Sequence, residues 1–178
     1  MQTRTKKISL CALFSALMIA GSFIRIPTPI TPITLQVQIA LLAGVLLGAK
    51  WGSLSVLIYA FLGLAGLPVF AGGGGFSYVL QPTFGFVIGF ALAAFVVGAV
   101  ARGGAITCRR LAFALAVGLA VVYVIGLGYA ALILTVYLNE TVVLGEFLFA
   151  YALVALPKDL ILTVVCVPLI KRLIAYTV

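Results

Sequence analysis

Between Leu111 and Tyr137 the chain runs without one charged side chain, and between Thr83 and Ala101 it does so again. Apolar runs of about 17 to 25 residues span a bilayer as helices, because only a helix closes its backbone hydrogen bonds within the segment. Further apolar runs, Ile8 to Ile24, Leu35 to Leu47, Trp51 to Leu67 and Phe147 to Tyr176, bring the count to six. With 65% hydrophobic and 8% charged residues among 178, and a mean hydropathy of +1.37, nothing remains for a separate soluble domain. The sequence predicts an all-α integral membrane protein, one six-helix transmembrane domain over residues 1–178. The basic start MQTRTKKISLCALF lacks a small-residue cleavage site after a short apolar core, so it reads as the first span and not as a removed signal.

The cations set an orientation. Arg4, Lys6, Lys7, Lys50, Arg102, Arg109, Arg110, Lys171 and Arg172 all fall at the termini or in the even loops, whereas the odd loops hold Arg25 and both glutamates. The positive-inside rule then places both termini in the cytoplasm of a cell-membrane protein. A net charge of +8 points to nucleic acid in a soluble protein, but here it follows from the loops, and no nucleic-acid partner is expected. Cys11, Cys108 and Cys166 lie in or beside the cytoplasmic half and show no CxxC spacing, so disulfides are not expected.

Absences narrow the chemistry. With no histidine, and with Glu140, Glu146 and Asp159 as the only acids, histidine-based triads and metal centres are excluded, and a carboxylate-rich metal site lacks its ligands. No GxxxxGK[ST] occurs, so ATP-driven work must come from another chain. An enzyme is not expected, and no cofactor is implied.

Three stretches carry functional interest. The middle one, GLPVFAGGGGFSYVLQPTFGFVIG at Gly66 to Gly89, places four glycines between spans, on the outer face in this topology. Bare backbone there is either an aqueous loop or the lining of a site. With no cation nearby a phosphate cradle is disfavoured, and Phe70, Phe76 and Tyr78 suit an apolar, neutral ligand. Upstream, RIPTPITPIT holds an extended connection through Pro27, Pro29 and Pro32, and leads to Gln36 and Gln38. Those glutamines lie two apart on a helix, so one of them at most faces a central cavity.

In the last segment, LPKDLIL sets Lys158 beside Asp159. If the helix is continuous down to Lys171, 13 residues on, the pair lies about 20 Å up the axis, inside the outer half of the bilayer. Charges at that depth face a cavity or the bundle interior. Adjacent helical residues point about 100° apart, so each calls for its own polar partner. Alternatively the helix starts at Pro157, with Asp159 at its N-terminus and both charges interfacial. Pro157 and Pro168 are expected to break the segment. In span one, Ala12, Ala16 and Ala20 recur every fourth residue and line one face with small side chains. Such a face serves either packing within the bundle or docking of a partner subunit.

PITLQVQIALLAGVLLG at Pro32 to Gly48, YAFLGLAGLPVFAGGGG at Tyr59 to Gly75 and QPTFGFVIGF at Gln81 to Phe90 together resemble the BioY family, over nearly the whole chain. The resemblance implies a biotin-binding S component of an energy-coupling factor (ECF) transporter. Such a component binds its vitamin on the outer face and docks on a membrane coupling subunit (T component) joined to two cytoplasmic ATPases. It also implies that the Ala12, Ala16 and Ala20 face is the docking face. For biotin, Lys158 is expected to neutralise the valerate carboxylate and Asp159 or Gln36 to bond the ureido group, with Phe70, Tyr78 and Tyr151 as apolar walls. One departure stands out. The family often carries the acid and lysine of its last helix four residues apart, whereas here Thr163 occupies the lysine's place and the lysine is at 158. The rival readings are an S component for thiamine or riboflavin, a solitary facilitator or channel and, last, a membrane enzyme.

Overall fold

A computed structural model of the chain describes residues 4–26, 32–104 and 107–177. Helix α1 (Arg4–Phe23) leads into a short antiparallel hairpin, β1 (Arg25–Ile26) with β2 (Ile33–Thr34), in which Arg25 faces Thr34 and Ile26 faces Ile33. Pro27 and Pro29 of the proline-rich connection lie outside the described residues. Then come α2 (Gln36–Leu47), α3 (Ala49–Leu64), a loop closing in a 3-10 turn at Phe76–Leu80, α4 (Phe84–Arg102) and α5 (Cys108–Leu132), the last prolonged by a π-helical turn, Ile133–Tyr137. Helix α6 (Leu144–Leu148) runs into a second π-helical turn, Phe149–Leu153, and α7 (Leu156–Thr177) completes the chain.

Four segments are long and apolar enough to cross a membrane by length and composition: Arg4–Phe23, Phe84–Arg102, Cys108–Tyr137 and Leu144–Arg172. The two other apolar helices are shorter. The 12 residues of α2 rise about 18 Å, less than the ~30 Å hydrocarbon core. Helix α2 is apolar all round because it is buried all round, against α1, α3, α4, α5 and α7. Outside the bundle, large apolar side chains such as Leu13, Phe61, Phe95, Phe113 and Val164 stand exposed, as hydrocarbon contact demands.

Close approach at glycines holds this centre together. A Cβ on Gly44 of α2 would strike the Ala94 carbonyl of α4, and one on Gly98 of α4 would strike the backbone at Gly48–Ala49. Gly48 itself, at φ +85°, turns the chain from α2 into α3 in a single residue. Just beyond, the Arg102 guanidinium donates to the Val45 and Leu46 carbonyls and so satisfies the C-terminus of α2.

Two expectations for the last segment need correction. Pro168 does not break the chain: α7 runs through it, the interruption falling instead at Val154–Ala155. Pro157 sits in the first turn of α7, where its missing N–H costs nothing. The helix therefore starts where the interfacial reading put it, yet Asp159 is only 1% exposed, so its charge lies inside the bundle and not on its surface. Spans two and three are close to expectation, although α3 ends at Leu64 and the loop begins sooner.

Candidate functional site

The loop after α3 folds back over the bundle. Phe70 and Gly73 exchange backbone hydrogen bonds (2.8 and 3.1 Å), and Gly75 N–H reaches back to the Gly63 carbonyl of α3 at 2.7 Å. Gly73 and Gly75 hold φ of +125° and +103°, which other residues rarely adopt. This fold drives the Phe70 ring against Gly63, where any Cβ would collide with it. Phe70 then meets Tyr78 at 4.5 Å and Tyr59 of α3 edge-on at 5.5 Å between ring centroids. Phe76 does not join them; it is 78% exposed, contrary to the expectation that it helps form an apolar pocket.

Beneath this loop lies a cavity of about 640 Å³, a volume that includes its open mouth to solvent. Its walls come from the hairpin, α2, α3, the loop, α4, α5, the second π-helical turn and α7. Gln36, Phe70, Tyr78, Tyr151, Lys158 and Asp159, picked out in the sequence, all line it. So do Thr34, Tyr59, Thr83, Phe86, Phe90 and Tyr123, which sequence reasoning passed over. Tyr59 and Tyr123 left one signal: a hydroxyl in the middle of an apolar run must find a partner when buried.

Along this wall the polar groups form one hydrogen-bonded arc. Gln36 Nε2 donates to Tyr59 Oη at 2.6 Å and to the Met18 carbonyl at 3.3 Å. Thr34 Oγ1 donates to Gln36 Oε1 at 3.3 Å, while the Thr34 carbonyl accepts from Lys158 Nζ. Lys158 Nζ pairs with Asp159 Oδ1 at 2.6 Å, and Asp159 Oδ2 accepts from Tyr123 Oη at 2.8 Å. Gln38 stands behind: its amide donates to Asp159 at the backbone (3.1 Å) and at Oδ1 (3.3 Å), while Thr163 donates to Gln38 Oε1 at 3.4 Å. Both glutamines are buried, but only Gln36 lines the cavity, as their spacing requires.

The pairing of Lys158 with Asp159 overturns the expectation that neighbours on a helix cannot satisfy one another. A lysine has four flexible carbons, so its ammonium swings back across the turn although the Cβ vectors diverge. The ammonium side chain remains 26% exposed and the carboxylate 2%. Two of the three ammonium protons are committed, to Thr34 and Asp159, which leaves one for a ligand.

On α1, Ala12, Ala16 and Ala20 are exposed, while Cys11, Phe14, Ser15, Met18 and Ser22 turn inward. Ser15 Oγ donates to the Ser55 carbonyl of α3 at 2.7 Å. The alanine face is therefore turned away from the described helices of the bundle. Among the described residues the cysteines are free, and no group of three or more Cys, Asp or Glu could hold a metal.

Comparison with known proteins agrees with this geometry. A crystal structure of the S-component for biotin from an ECF-type ABC transporter superposes with a TM-score of 0.75, at 30% sequence identity, over 97% of this chain and 94% of that one. The probable biotin transporter BioY of Lysinibacillus sphaericus is 46% identical over 139 residues, 78% of this chain and 71% of the relative. The biotin transporter BioY of Thermotoga maritima is 42% identical over 115 residues, 64% of this chain and 68% of the relative. The BioY family model itself matches residues 1–177, and the chain belongs to the BioY family.

Proposed function

We propose that this chain is the biotin-binding S subunit of an ECF-type vitamin importer, working with a separate membrane coupling subunit and two cytoplasmic ATPase subunits. The observation that carries the reading is the cavity: an aromatic chamber with one polar arc ending in a lysine that keeps an uncommitted proton. Biotin matches it in kind, with an apolar bicyclic body, a polar ureido cap and a carboxylate tail. Lys158 receives the carboxylate while staying paired with Asp159, and Phe70, Tyr78 and Tyr151 enclose the apolar body. Asp159, held by Gln38 and Tyr123, fixes where that lysine stands.

In this reading the protein lies in the cell membrane with six spans and cytoplasmic termini. The short α2 counts among the spans because the bundle surrounds it, and backbone at membrane depth is tolerated where protein covers it. The distribution of cations supports the orientation. The exposed Ala12, Ala16 and Ala20 face serves the coupling subunit, since small side chains let another helix approach closely.

Uptake of labelled biotin tests this. Cells lacking their own importer, supplied with this chain, the coupling subunit and the ATPases, are expected to accumulate biotin, and to fail when the ATPase carries an inactive nucleotide site. Accumulation by this chain alone, independent of the ATPases, points to a solitary facilitator. Uptake of thiamine or riboflavin in place of biotin assigns the cavity to another vitamin.

A further inference from the structure

The family resemblance implies Asp159 or Gln36 as the residue that bonds a ligand's ring, but the Gln36 amide protons are already taken. The Met18 backbone carbonyl can only accept, so the Gln36 atom 3.3 Å from it must be the amide nitrogen. That fixes the other end: Gln36 Oε1 faces Thr34 Oγ1 at 3.3 Å. The nitrogen has two protons, and both are taken, by Met18 and by Tyr59 Oη at 2.6 Å. Tyr59 Oη is therefore an acceptor in this bond, and its own proton must go elsewhere.

Among the described residues, Gln36 is the one hydrogen-bond partner that Tyr59 has. The tyrosine is 0% exposed, sits among Phe70 and Val56, and lines the cavity. A buried hydroxyl proton without an acceptor is costly, and whatever supplies the acceptor gains accordingly. We propose that Tyr59 donates this proton to a neutral ring carbonyl of the ligand, with Gln36 as the positioning residue that aims it. On the biotin reading, upon which this inference rests, that carbonyl is the ureido oxygen. The arc then divides its work: Tyr59 reads the ring, and Lys158 takes the acid tail. A site that spends a buried donor on one ligand oxygen discriminates strongly against an analogue lacking it.

The test compares biotin with 2-iminobiotin, in which a protonated imine that only donates replaces the ureido oxygen. Affinities for both are measured on the same preparations of the purified full chain, unchanged and as Tyr59→Phe and Gln36→Glu. Tyr59→Phe is expected to weaken biotin by about fivefold or more and to leave 2-iminobiotin within about twofold. Gln36→Glu places an acceptor against Tyr59, draws its proton away from the cavity, and is expected to weaken biotin at least as far. The ratio of the two affinities is insensitive to the folded fraction of a preparation. Equal losses for both ligands, or biotin affinity unchanged in either variant, overturn the assignment of Tyr59. Failure of the unsubstituted protein to bind biotin overturns the biotin reading itself, and that measurement precedes the comparison.

Discussion

Lys158 Nζ lies 2.6 Å from Asp159 Oδ1, although the two residues are consecutive on α7. Their pairing turns a buried charge into half of a locally neutral pair, with Gln38 and Tyr123 completing the shell around the carboxylate. Such a carboxylate is costly to leave alone and well placed to hold an ammonium still.

Removing its charge should therefore disturb ligand capture. Asp159→Asn keeps the shape but releases Lys158, and biotin affinity is expected to fall at least about tenfold, or ~1.4 kcal/mol. Isothermal titration measures this, and unchanged affinity would mean that the acid has no part in the site. Lys158→Met strands the acid instead. Losing one partner of a fully buried pair costs about 3–5 kcal/mol, and the partial exposure of this lysine reduces the expected loss to about 1–3 kcal/mol. The melting temperature in detergent should drop accordingly, and Lys158→Met with Asp159→Asn should recover part of it.

Bulk on the outer face of α1 should separate assembly from binding. Ala16→Phe adds a large side chain where the bundle makes no use of the residue. Melting temperature and biotin affinity are expected to stay close to those of the unsubstituted chain, while co-purification with the coupling subunit and biotin uptake are lost. Loss of biotin binding would return Ala16 to a packing role.

The helix glycines differ sharply in what they permit. Gly44→Ala and Gly98→Ala place a Cβ against backbone of a neighbouring helix that cannot step aside, and overpacking of this kind costs about 1–3 kcal/mol. Gly128, in α5, has nothing within 4 Å of the corresponding position. Gly128→Ala is expected to be neutral or stabilising by up to ~1 kcal/mol. Thermal unfolding of the three variants side by side checks the contrast.

Within the glycine run, the demands are equally uneven. A Cβ on Gly74 would collide with the Leu67 carbonyl, and Gly73 needs its positive φ, whereas Gly72 meets only side-chain atoms, the first at 3.3 Å. Gly72→Ala should bind biotin within about threefold of the unsubstituted chain, and Gly74→Ala should lose about tenfold or more by displacing Phe70. Equal effects at the two positions would mean that the loop does not shape the cavity.

Much of this architecture was legible. The apolar runs marked the helices, and the two-residue spacing of Gln36 and Gln38 marked their separate duties. What escaped reading has physical causes. The Lys158–Asp159 pair depends on a flexible stem, which Cβ directions do not describe. Tyr59 and Tyr123 blend into apolar helices by composition, and only the tertiary fold brings their hydroxyls to Gln36 and Asp159. Pro168 reads as a breaker, but neighbouring groups can absorb a missing helix bond inside a membrane bundle. The alanine stripe was visible, but which way it faces required the buried Ser15 and Met18 on the opposite side of α1.

Equilibrium titration of the purified chain with labelled biotin, with no partner subunit present, addresses the central claim most directly. The cavity described here should bind one biotin per chain with a Kd near nanomolar, about −12 kcal/mol. Micromolar or absent binding of biotin, together with tight binding of thiamine or riboflavin, would contradict it.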